Sequence, residues 1–100
     1  MPTINDAHWS PTGPPRSELP GAGGTLRQIV VKAGQVAARH HHDFEQFLFV
    51  ASGTGTLQCE KGSISLAPGT ALHLEPGAWH SAQFTTETVL IEMNLEQRAA

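Results

Sequence analysis

One hundred residues with 39% hydrophobic side chains and a formal charge of −3 describe one small domain, near the lower end of what a single apolar core holds together. No basic field speaks for a nucleic-acid partner, and the apolar runs fall far short of a membrane span, so neither nucleic acid nor membrane is expected as a partner. Cys59 is alone, which excludes an internal disulfide, and residues 1–11 show neither the basic nor the apolar region of a secretory signal; a cytoplasmic protein is expected.

In chain order, residues 1–24 hold five of the seven prolines and several glycines, which rules out a long helix or a central strand. They are expected as an extended arm over the domain, anchored by Trp9 and with His8 beside it. Residues 25–32 (TLRQIVVK) are β-branched and apolar towards their end and read as a strand. Gly34 marks a turn, residues 36–42 a second strand, and Asp43 and Phe44 a corner before the buried strand 46–51 (QFLFVA). Gly53 and Gly55 turn the chain into a hairpin of residues 56–60 and 63–66 across Lys61-Gly62. Pro68-Gly69 makes a further turn, and strands follow at 71–74, 79–84 and 88–94, leaving 96–100 as a tail. Eight short strands punctuated by Gly and Pro, with no useful helical period, predict an all-β sandwich or barrel over residues 25–95.

The stretch that carries chemistry is 34–53, GQVAARHHHDFEQFLFVASG, with three of the six histidines in consecutive positions. In a strand His40 and His42 point to one side and His41 to the other. Two imidazoles two residues apart on one face can hold one metal ion. Gln46, Leu48 and Val50 keep that parity, so the face runs on into an apolar core, while Phe47 and Phe49 point away. Glu45 has the opposite parity and becomes a ligand only if the corner shifts the register. A further ligand has to come from elsewhere, and His80, within 69–84 (GTALHLEPGAWHSAQF), is the best candidate. His41 and His73 are expected to face outward.

These two stretches resemble the two motifs of the cupin superfamily, in its small single-domain form. The first family motif is Gly, five residues, His-x-His, three or four residues, Glu, six residues, Gly; here it reads Gly34, His40, His42, Gln46, Gly53. The second is Gly, five residues, Pro-x-Gly, two residues, His, three residues, Asn; here it reads Gly69, Gly77, His80 and then Phe84. Gln46 stands where Glu is commonest, Glu75 where the first Pro is expected, with Pro76 one place later, and Phe84 where Asn is expected. The resemblance implies an antiparallel double-sheet jelly-roll barrel and a metal held by His40, His42, Gln46 and His80, as in the three-His, one-Gln subgroup.

Three imidazoles and an amide oxygen suit one divalent transition metal, Mn, Fe, Co, Ni, Cu or Zn, and leave positions open for substrate. The site's formal charge then stays at that of the ion, which favours an anionic or enolate-like ligand. No general base is evident: Arg27, Gln28, Arg39, Gln58 and Glu92 are polar candidates near the site, each read first as a surface residue. The expected pocket lining includes Phe44, Leu48, Trp79, Phe84 and Met93, with Val50, Val89 and Ile91. Small cupins include dioxygenases and also lyases, isomerases and decarboxylases that use the metal as a Lewis acid, so the resemblance implies a metal-dependent enzyme acting on a small oxygen-chelating substrate. The alternative is a non-catalytic small-molecule-binding cupin module. Two exposed phenylalanines on one strand, together with the habit of small cupins, imply a homodimer.

Overall fold

The computed structural model describes residues 2–13 and 15–96, and these form ten strands and no helix. The strands are β1 (Ser10–Gly13), β2 (Arg16–Pro20), β3 (Thr25–Val31), β4 (Val36–His40), β5 (Glu45–Ser52), β6 (Gly55–Cys59), β7 (Gly62–Leu66), β8 (Ala71–Leu74), β9 (His80–Phe84) and β10 (Thr88–Leu95). They make a six-stranded antiparallel sheet in the order β1-β2-β3-β10-β5-β8 and a four-stranded one in the order β4-β9-β6-β7. All eight strands expected between residues 25 and 95 are present, and the all-β jelly-roll reading holds.

The core lies between the two sheets. Val31, Leu48, Val50 and Leu90 from the larger sheet meet Leu57, Leu66, Ala82 and Phe84 from the smaller one. Each set follows the two-residue period of a pleated strand whose alternate side chains face the opposing sheet. Val50 is fully buried, so Val50→Ala would lose about 2 kcal/mol or more from the removed methyls and the cavity they leave.

The segment expected as an arm is extended, but part of it is built into the sheet. β2 pairs with β3, from Arg16 opposite Ile29 to Pro20 opposite Thr25, and β1 folds back on β2 as the free edge. The prolines allow this because Pro11 sits on the edge strand and Pro20 at a strand end, where a missing N–H breaks no ladder. Residues 2–9 remain outside any strand, with Ile4 and Trp9 exposed. The tail assigned to 96–100 lies, beyond Glu96, outside the described residues.

Two glycines of the motif stretches set the corners. Gly53 has φ +94, and a Cβ there would lie 2.3 Å from Thr88 Oγ1 and 2.4 Å from the Glu87 carbonyl, so no other residue fits. Gly77 has φ +82 and donates its N–H to the carbonyl of His42 at 2.7 Å. That bond fastens the loop before β9 to the loop after β4, and with them the two histidine-bearing stretches.

Candidate metal centre and its cavity

His40 ends β4, His42 follows in the loop to β5, and His80 opens β9. β4 and β9 pair with a register shift between Ala37 and His40, one extra residue on the β4 side, after which His40 stands directly opposite His80. A bulge of this kind turns a side chain to the other face of the strand. Ala37 and His40, three residues apart, both line the interior as a result. The ring centroids of His40 and His80 lie 4.1 Å apart, those of His40 and His42 5.2 Å, and those of His42 and His80 5.9 Å. Their ligand-capable nitrogens all fall within 4.8 Å of one another, and exposure grades from His40 at the surface to His80 in the interior.

The outer contacts of two rings fix which nitrogen is free. Nδ1 of His40 lies 2.7 Å from the Ala38 carbonyl, and Nδ1 of His80 lies 3.2 Å from the Ala78 carbonyl. A carbonyl only accepts, so in both rings Nδ1 carries the proton and Nε2 keeps its lone pair, as metal-binding histidines are commonly held. Burial lowers the pKa of His42, helped by the neighbouring imidazole of His40 and the guanidinium of Arg27. Burial also lowers that of His80, against the opposing pull of the Ala78 carbonyl. Both effects favour the neutral, ligating form.

Gln46 is buried beside them, on β5 and lining the same cavity as His40 and His80. Its Nε2 donates to Asn94 Oδ1 at 2.8 Å, which leaves Oε1 as the free end of the amide. Glu45 points outward to an ion pair with His73, so the register at the corner is the one that brings Gln46 inside. His41 is exposed, as expected. A set of three neutral imidazoles and one amide oxygen, with no thiolate among them, fits a first-row divalent ion with an open position better than a closed structural zinc site.

Of the expected pocket residues, Leu48 and Phe84 line the cavity of about 270 Å³ that holds His40, Gln46 and His80. Phe44 stacks on His42 with ring centroids 4.9 Å apart and planes 22° apart. Trp79 lies next door, lining a second cavity that shares His80, with the Arg39 guanidinium 4.0 Å over its ring. Met93 does not belong: it pairs with Leu26 and Phe47, and it lines a shallow apolar groove on the outer face of the larger sheet with Phe49 and Ile91. On β10 the inward positions are Thr88, Leu90, Glu92 and Asn94, so Val89, Ile91 and Met93 all face away from the core.

The same alternation carries Glu92 inside, against its first reading as a surface residue. It lines the cavity with His40, Gln46 and His80, and its Oε1 is 3.9 Å from Nη1 of Arg27. Arg27 is shared: its Nη2 is 3.3 Å from Glu18 Oε2. Burial pushes the Glu92 carboxyl above the ordinary carboxylate range, with Arg27, Arg16 and His40 pulling the other way. The signal available in the sequence was the parity of Glu92 with Leu90 and Asn94, obscured by apolar residues at every other position of the strand.

Fold and cluster together define a double-sheet β barrel with a histidine-rich cavity. Residues 27–93 match the cupin domain family, and the chain belongs to it. A sequence search among curated proteins gives no match. In three dimensions the chain is similar to an RmlC-like cupin from Shewanella frigidimarina, with a TM-score of 0.76, 19% identity, and 92% and 86% of the two chains covered. It is similar to KdgF from a Halomonas species, with a TM-score of 0.72, 18% identity, and 89% and 88% covered. It also resembles a salicylate 1,2-dioxygenase from Pseudaminobacter salicylatoxidans, with a TM-score of 0.72 and 14% identity over 84% of this chain but 27% of that one. At these identities the likeness is one of fold. No helix among the described residues is long and apolar enough to cross a membrane.

Proposed function

We propose that this chain is a small metal-dependent enzyme that moves a proton on an oxygen-chelating organic substrate, as a lyase or isomerase does. The observation that carries the reading is that Glu92, a half-buried carboxyl, lines one cavity with His40, Gln46 and His80. A divalent ion held by His40, His42, Gln46 and His80 would supply Lewis acidity to a substrate oxygen. The chain's own residues supply the rest. Glu92 gives or takes the proton, and burial raises its pKa, the direction that strengthens a carboxylate as a base. Arg27, anchored on Glu18, holds the carboxyl in place. Leu48, Leu57, Phe84 and Leu90 keep water from the reacting atoms. A cavity of about 270 Å³ takes the polar head of an enolisable carbonyl compound or a hydroxy acid.

We also read the outer face of the larger sheet as the contact between two copies, since Phe47 and Phe49 are 46% and 44% exposed there.

The test is elemental analysis of the purified protein and of His40→Ala and His80→Ala, with turnover of 2-oxo and 2-hydroxy acids measured beside it. About one first-row metal per chain, lost in both variants, with metal-dependent and oxygen-independent turnover, supports the reading. Oxygen uptake coupled to turnover would replace it with a dioxygenase. No metal after reconstitution would leave a plain binding cavity and a non-catalytic module.

A further inference from the structure

The larger sheet ends at β8 and the smaller one at β7, and no ladder joins these two edges. Between them lies a cavity of about 520 Å³ lined by Leu57, Cys59, Ile64, Leu72, Leu74 and Trp79, and it reaches His80. Of these six, Leu57 alone is buried; Cys59, Ile64, Leu72 and Leu74 pack against the core yet, like Trp79, keep part of their apolar surface uncovered. His80 and Leu57 also line the smaller cavity that contains Gln46 and Glu92. The two spaces therefore share a wall, and that wall includes a histidine of the candidate metal cluster. The smaller cavity alone, about 270 Å³, is below the usual 300–1,000 Å³ of a small-molecule site, whereas the seam cavity falls within it.

We propose that the β7–β8 seam is the subsite for an uncharged alkyl or aryl tail of the substrate, whose oxygen-chelating head occupies the smaller cavity. The position of the head rests on the metal-centre reading; that of the tail does not. The rim carries Glu60, Lys61 and Glu75, mixed in sign and exposed, so it offers no single-sign field for a charged tail. The wall below is apolar, and each methylene moved from water onto it should tighten binding by about two- to fourfold. Trp79 stands at the seam, held in place by Arg39, and serves as a built-in reporter.

The experiment uses straight-chain 2-oxo acids of three to eight carbons on metal-loaded Trp9→Phe protein, in which Trp79 is the remaining tryptophan. Affinity rising about two- to fourfold per methylene, with a change in Trp79 emission for the longer members, is the expected result. Ile64→Arg, which places a charge in the seam away from the histidines, should flatten the series; Cys59→Phe, which fills it, is the second variant should the first fail to fold. A flat series in the starting protein, or a slope untouched by both variants, overturns the proposal. The same series on Trp9→Phe protein, once loaded with metal and once stripped of it by a chelator, separates the two readings. If the slope and the Trp79 signal persist while metal has no effect on any member, the seam stands and the metal centre falls. If metal governs affinity while the slope is flat, the reverse holds.

Discussion

Gln46 and Asn94 are joined by a buried amide–amide hydrogen bond of 2.8 Å between neighbouring strands of the larger sheet, with Asn94 fully buried and Gln46 nearly so. Asn94 takes the Gln46 nitrogen and thereby leaves the Gln46 oxygen out of that bond, in a residue that lines the cavity with His40 and His80. Asn94 Nδ2, in contrast, has no hydrogen-bond partner. A buried polar atom left unpaired is destabilising by about 1–3 kcal/mol.

Asn94→Leu should therefore release Gln46 without removing it. The expected outcome is a loss of metal affinity of about 10- to 100-fold, the range typical of residues that orient ligands, with the fold retained. Gln46→Glu should do something different: it adds a negative charge to the site, weakening the binding of anionic ligands and changing the preference among metals. Competition with a chelator of known affinity measures the first, and ligand titration of each metal-loaded form measures the second. Unchanged values in both variants would remove Gln46 from the ligand set.

The metal-free protein should lose stability as pH falls. The pKa values of His42 and His80 are lowered in the fold, so the unfolded chain binds protons on them more readily than the folded one. By linkage the loss begins as pH drops through the unfolded value of about 6.5 and is complete once it is below the folded values. Urea midpoints of chelator-treated protein between about pH 5 and 7.5 should show this slope. His42→Gln should reduce it; a slope unchanged by that variant would place the titration elsewhere.

The outer face of the larger sheet makes a separate prediction. Leu26, Phe47, Phe49, Ala71, Ile91 and Met93 border one apolar groove there, with the His73–Glu45 ion pair at its edge. Phe47→Asp should yield a monomer at concentrations where the parent chain is a dimer, read by light scattering across a dilution series. A dimer that survives the change would put the contact on another face.

How far the sequence carried can be judged strand by strand. The parity of Gln46, Leu48 and Val50 against Phe47 and Phe49 was legible because β5 alternates cleanly, and its burial follows that alternation. The pairing of His40 with His80 was not, since it depends on the extra residue between Ala37 and His40, and an insertion of one residue into a ladder leaves no pattern in the side chains. β10 misled for another reason. It runs between β3 and β5, and its outward face is apolar as well, so periodicity could not separate Met93 from Leu90 or lift Glu92 out of the surface set. The hairpin of β1 and β2 was hidden by its prolines, which signal a break to a reader but sit where the ladder tolerates them.

Glu92 offers the sharpest contrast between stability and function. Its folded pKa is raised, chiefly by burial, so its proton is held more tightly in the fold than in the unfolded chain. The contribution to stability is present below the unfolded carboxylate value of about 4.3 and is lost as pH rises through the folded one. Wherever the group is ionised it therefore weighs against the fold, and Glu92→Gln should raise the urea midpoint at pH above the folded value. The same variant removes the proton carrier from the cavity, and turnover should fall by about 10²- to 10⁴-fold. The limb of the pH–rate profile assigned to it, displaced above the ordinary carboxylate range, should vanish, while metal content stays that of the parent. Activity retained with the limb intact would show that another group moves the proton. A fall in stability at pH above the folded value would show that the pairing with Arg27 outweighs the burial of the charge.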